Sequence, residues 1–234
     1  MAKAILFDTE TTGFNDPEVI EAAWVELFEK IESDTDLNQD MTEYVERFQP
    51  SKAIELGALA THHILDEELV GLRPSAEFKL PNGVEYLVGH NIDFDWRVIG
   101  CPPIKRICTL ALARWLWPDL DSHTQTALMY FASTNRMVTR TKASFAHSAL
   151  HDVRNCLPLL YHMIYCAELS TAVKLETWED LWQLSELARI PTKMPFGKYR
   201  GELISGIPSS YVTWLMKQPD LDPYLMGALK RRVW

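Results

Sequence analysis

The run Ala4-Ile5-Leu6-Phe7 is apolar at every position and passes directly into Asp8-Thr9-Glu10-Thr11-Thr12-Gly13. A strand with no polar alternation has no face to show to water, so it belongs inside a sheet that is covered on both sides. That requirement points to an α/β fold. The acids that end the run then stand at a carboxyl edge of the sheet, where α/β folds hold ligands. Asp8 and Glu10 are two positions apart, so in a strand they project from one face and converge. Carboxylates held that close repel unless a cation lies between them, and hard oxygen donors suit Mg2+ or Mn2+. Taken alone, the pair reads first as a polar strand end entering a turn.

Further strands are expected at residues 19–28, where Glu21 and Glu26 interrupt an apolar pattern, and at residues 43–48. The acidic stretch 32–40 between them reads as a solvated hairpin loop. Residues 53–70 have helical composition and carry Thr61-His62-His63, and 86–89 form a short buried strand running into His90-Asn91. Helices are expected at 94–99, 109–117 and 125–134, followed by a basic polar segment at 135–142. The longest helical pattern, 149–169, contains Pro158, which removes a backbone donor and predicts a kink. A helix at 176–189 and a linker at 191–195 lead to a compact module opened by Phe196-Gly197-Lys198-Tyr199-Arg200-Gly201. The expected organisation is a body at 1–172, a helix and linker at 173–195, and a small basic module at 196–234.

Charge divides along the same line. Residues 1–190 hold 16 Lys and Arg against 29 Asp and Glu, whereas residues 191–234 hold 7 against 3. An acidic body with a basic tail is compatible with a nucleic-acid partner if metal ions offset the acids. The apolar runs are too short to span a bilayer, and the first residues read as a strand rather than a signal peptide. The four cysteines form no CxxC pair and have no zinc-ligand spacing, which suggests free thiols in a reducing cytoplasm.

A second acidic pair, Asp93 and Asp95, follows the strand at 86–89, and position alone does not choose between them as a ligand. Either also suits a helix cap. In His147-Ser148-Ala149-Leu150-His151-Asp152, positions five apart differ by about 140° on a helix. The useful geometry has Asp152 inside the helix and His147 on the entering turn, where an imidazole can take a proton from a water.

Phe7-Asp8-Thr9-Glu10-Thr11-Thr12-Gly13, His90-Asn91-x-x-Phe94-Asp95 and His147-x-Ala149-x-x-Asp152 resemble, in order, the three motifs of the DEDDh 3′–5′ exonucleases. The likeness extends to that family's exonuclease X branch through residues 58–64, 112–118 and 196–201. The resemblance implies an RNase H-like mixed five-stranded sheet flanked by helices, with a small C-terminal module. It assigns Asp8, Glu10, Asp95 and Asp152 as metal ligands, with Asp95 chosen over Asp93, and His147 as the base. It places Thr11, Thr12, His62 and Asn91 at the substrate. It implies two Mg2+ or Mn2+ ions, DNA 3′ ends as partner and nucleoside 5′-monophosphates as product. An RNA-directed enzyme of the same family and a non-catalytic nucleic-acid-binding module are the alternatives. Arg136, Arg140 and Lys142, together with Lys230-Arg231-Arg232, Lys198 and Arg200, are candidate phosphate contacts.

Overall fold

A computed structural model describes residues 3–28, 31 and 41–232. The stretch 32–40, read as a hairpin loop, lies outside the described residues. The chain divides into two compact units between Ser185 and Glu186.

The first unit is built on a five-stranded mixed sheet. Its strands are β1 (Lys3–Thr11), β2 (Val19–Glu26), β3 (Glu43–Arg47), β4 (Val84–Gly89) and β5 (Lys105–Cys108), in the order β3-β2-β1-β4-β5. β1 pairs antiparallel with β2 and parallel with β4, so the apolar run is the centre of the sheet. Ala4, Ile5, Leu6 and Phe7 are each at most 1% exposed, as a strand without polar alternation requires. β3 is an edge strand and leaves Val45 exposed. The helices of this unit are α1 (Leu56–His62), α2 (Asp66–Leu69), α3 (Asp93–Val98), α4 (Thr109–Leu116), α5 (Gln125–Ala132), α6 (Arg136–Ala143), α7 (Ala149–Thr171) and α8 (Trp178–Ala188), the last running into the second unit. α7 packs across β1 and β2, and α4 and α5 pack against α7.

Local structure differs from the sequence expectation in several places. Residues 53–70 are two short helices, because His63 adopts a left-handed conformation (φ 59°) that closes α1. The basic segment 135–142 is largely helical: Asn135 caps α6 by accepting from the N–H groups of Met137 (3.1 Å) and Val138 (3.3 Å). α7 continues through Pro158 without interruption. Pro158 and Arg154, whose carbonyl loses its helical donor, are both exposed residues of the helix.

Gly89 ends β4 where the chain has no room for a side chain. A Cβ there would stand 2.6 Å from the Phe7 carbonyl oxygen and 2.8 Å from Ile92 Cδ1. That closeness brings the segment carrying Asn91 and Asp95 directly beside the end of β1. The second unit holds α9 (Ser209–Leu215) and α10 (Pro223–Arg232) around its own apolar cluster.

Candidate active site

β1 presents Asp8 and Glu10 from one face, and the first turn of α7 presents Asp152. One carboxylate oxygen from each lies within 4.8 Å of the other two. Asp95, at the start of α3, is fixed to the backbone between Asp8 and Glu10: its Oδ1 accepts from the Thr9 N–H (3.0 Å) and from Thr9 Oγ1 (2.6 Å). Its negative charge acts on both Asp8 and Glu10. Asp152 is held from two sides. Its Oδ2 accepts from the backbone N–H of His147 (2.9 Å), and its Oδ1 accepts from Gln125 Nε2 (3.1 Å).

This arrangement is unfavourable for four bare carboxylates. Burial, then the charges of Asp152, Glu21 and Asp95, pushes Glu10 up to about 8. Burial pushes Asp95 to about 7 against the opposing hydrogen bonds from Thr9. Asp8 is raised well above the carboxylate range by burial, followed by Asp95 and Glu10. Burial also raises Asp152, against the hydrogen bond and charge of His147. Desolvation and like charge therefore both favour protons or metal ions at this point. An all-oxygen donor set suits hard divalent cations.

The cluster opens into a cleft of about 740 Å³ whose walls include His147, Asn91, Gln125 and Arg114. His147 is exposed, immediately before α7, with φ 66°. Asn91, between β4 and α3, has φ 61°. Left-handed backbone is uncommon outside glycine, and His147 and Asn91, both lining the cleft, are among the non-glycine residues that adopt it.

The other sequence candidates are placed as follows. Thr11, Thr12 and His62 are at most 8% exposed. Thr11 Oγ1 donates to the Gly13 carbonyl, Thr12 Oγ1 accepts from the Glu18 N–H, and His62 Nδ1 accepts from the Ile64 N–H. Asn91 alone of the four substrate candidates lines the cleft. Asp93 forms an ion pair with Arg106, apart from the cluster. His151 stacks on Phe145 at 5.2 Å. Arg136, Arg140 and Lys142 are exposed on α6, which leads toward His147.

Two residues at the site escaped the sequence reading. Gln125, at the start of α5, grips Asp152 through both its carboxylate and its backbone carbonyl. Glu21 sits on β2 directly across from Glu10 and pairs across β3 with Arg47. It is 3% exposed. Its Oε1 accepts from Arg47 Nε (2.9 Å), and its Oε2 accepts from the Ala149 N–H (2.9 Å) and Ser148 Oγ (3.4 Å). A carboxylate thus satisfies an open N–H at the beginning of α7, the helix that carries Asp152. The available signal was an acid within an otherwise apolar strand, since buried charges persist only when paired.

Comparison with known proteins places this geometry in a family. A family model described as "Putative quorum-sensing-regulated virulence factor" matches residues 180–223. Exodeoxyribonuclease 10 of Escherichia coli strain K12 is 30% identical over 234 residues, with 96% of each chain covered, and the protein of that name from Escherichia coli O6:H1 matches equally. The structure of exonuclease X in complex with 5′ overhanging duplex DNA superposes with a TM-score of 0.57 at 25% identity, covering 79% of this chain and 99% of that one. A zinc-bound ExoI–ssDNA complex of Escherichia coli shares the fold, with a TM-score of 0.50 at 15% identity over 74% of this chain and 41% of that one. The mixed sheet, the ordered motifs and near full-length similarity agree: the chain belongs to the exodeoxyribonuclease 10, or exonuclease X, family of DEDDh exonucleases.

Proposed function

We propose that the protein is a 3′–5′ exodeoxyribonuclease that removes nucleoside 5′-monophosphates from DNA ends. The observation carrying this reading is the convergence of Asp8, Glu10 and Asp152, two of which, Asp8 and Asp152, line a cleft together with His147. In this reading Asp8, Glu10, Asp95 and Asp152 hold two Mg2+ or Mn2+ ions. When bound, such ions cancel carboxylate charge and act as Lewis acids toward the scissile phosphate. His147 takes the proton of the attacking water, a general-base role that an imidazole nitrogen on the cleft wall can fill. Gln125, the His147 N–H and Glu21 fix Asp152 and the start of α7. Asn91 and Arg114, on the cleft wall, contact the terminal nucleotide and its phosphates.

We assign the catalysis to the unit ending at Ser185, which takes in most of the stretch 173–195 expected as a connection, and read the unit beginning at Glu186 as an appended basic module. No helix among the described residues is long and apolar enough to cross a membrane. Four free thiols fit a reducing compartment, so we assign the protein to the cytoplasm. The test is digestion of 3′- and 5′-labelled single-stranded DNA, duplex DNA and RNA with Mg2+, Mn2+ or EDTA, with products resolved by length. Stepwise loss of DNA from the 3′ end, abolished by EDTA, is expected. Metal-independent cutting, internal cutting or exclusive use of RNA would overturn the reading.

A further inference from the structure

The second unit completes its core without using all of its aromatic residues. Ile204, Ile207, Val212, Leu215, Leu225 and Leu229 form that core, each at most 4% exposed. α9 turns Val212 and Leu215 inward, which leaves Trp214 on the outer side at 53% exposure. Phe196 is likewise 45% exposed. Tyr199 and Tyr211 are partly buried and pack against the core.

Three of these rings form a continuous row. Tyr199 and Tyr211 meet at 4.7 Å between centroids, and Tyr211 and Trp214 at 5.3 Å. The turn that carries Phe196 and Lys198 lies against the same row. Gly197 has φ 75°, and a Cβ there would stand 2.9 Å from Tyr211 Oη, so only glycine lets the turn approach this closely. Lys198 Nζ stands 5.2 Å from the centre of the Tyr199 ring, and Arg200 is exposed beside it in sequence. Residues 186–234 carry 8 Lys and Arg against 4 Asp and Glu, the reverse of the balance in the rest of the chain.

We propose that this patch is a second nucleic-acid contact, in which Phe196, Trp214 and the tyrosine row stack the bases of a single strand while Lys198 and Arg200 neutralise its phosphates. The proposal rests on the nuclease reading of the first unit for its choice of partner. Exposed rings offer π faces that any base can meet, and neighbouring cations follow the backbone; this combination binds single strands without sequence preference. Duplex DNA keeps its base faces stacked and inaccessible, so the rings select the unpaired form.

The test uses the full chain in EDTA, which suspends hydrolysis, with a fluorescein-labelled oligothymidylate and a blunt duplex as probes. Phe196→Ala/Trp214→Ala is expected to weaken single-strand binding about tenfold and to leave duplex binding unaltered. Lys198→Glu/Arg200→Glu removes two cations without touching the rings, and is expected to lower the slope of log affinity against log salt by roughly 1.4. Circular dichroism confirms that each variant is folded. Wild-type affinity and salt slope in both folded variants would overturn the proposal, as would equal loss on both probes from the ring variant, which would indicate a general effect on the unit. Wild-type digestion in Mg2+ reports separately on the nuclease reading: a protein that digests DNA while both variants bind normally retains the cleft and loses only this contact.

Discussion

The two units use charge in opposite ways. In the first, the clustered acids are withdrawn from water: Glu10 is 9% exposed, Asp95 4% and Glu21 3%, and Asp8 and Asp152 are half-buried. In the second, Lys198, Arg200, Lys230 and Arg231 are all exposed. Buried like charges cannot be screened by water, so they require protons or cations from outside. Exposed cations incur no such penalty and remain available to phosphates. A net charge of −9 averages these two situations and describes neither. Placement relative to solvent, rather than the total, separates a site that gathers metal from a surface that meets nucleic acid.

The largest expected effects break the acidic side of this comparison. Asp8→Ala is predicted to lower kcat by about a thousandfold, the scale of losing several kcal/mol of charge stabilisation. His147→Ala is predicted to lower it by about a hundredfold or more, as expected for a general base. Release of labelled mononucleotide from a 3′-labelled oligonucleotide measures both. Wild-type rates in either folded variant would remove that residue from the reaction.

Glu21 offers a smaller and sharper test, because it combines charge with geometry. Glu21→Gln keeps an acceptor for the Ala149 N–H and removes one negative charge from the cluster, whereas Glu21→Ala removes both. If Glu21 acts by positioning α7, the alanine variant loses about tenfold in kcat with KM little changed, and the glutamine variant recovers most of it. Equal loss in both variants would assign the effect to charge instead.

Much of the candidate site could be proposed from the sequence because it lies on elements with strong local signals. The apolar run of β1 fixed its central position, and the motif resemblance selected Asp95 where position could not decide. The mixed five-stranded sheet and the exonuclease family followed from the same motifs and agree with the structure and the relatives. Less could be read where tertiary context decides. β5 is only four residues, Lys105–Cys108, with Ile107 and Cys108 alone buried, and it becomes a strand through parallel pairing with β4. α6 has no buried apolar stripe to announce it and depends on the Asn135 cap. Gln125 and Glu21 act across 27 and 128 residues of chain, distances that no local pattern spans.

Calorimetric titration of the metal-free protein with Mn2+ bears most directly on the central claim that the clustered carboxylates share divalent cations. Raised carboxyl values mean that protons compete with metal below them: Glu10 at about 8 and Asp95 at about 7. Mn2+ binding should therefore release protons near neutrality and tighten as pH rises, and Asp8→Asn should abolish it. Mn2+ binding that is absent in the wild type, or that persists unchanged in Asp8→Asn with no proton release, would contradict the account.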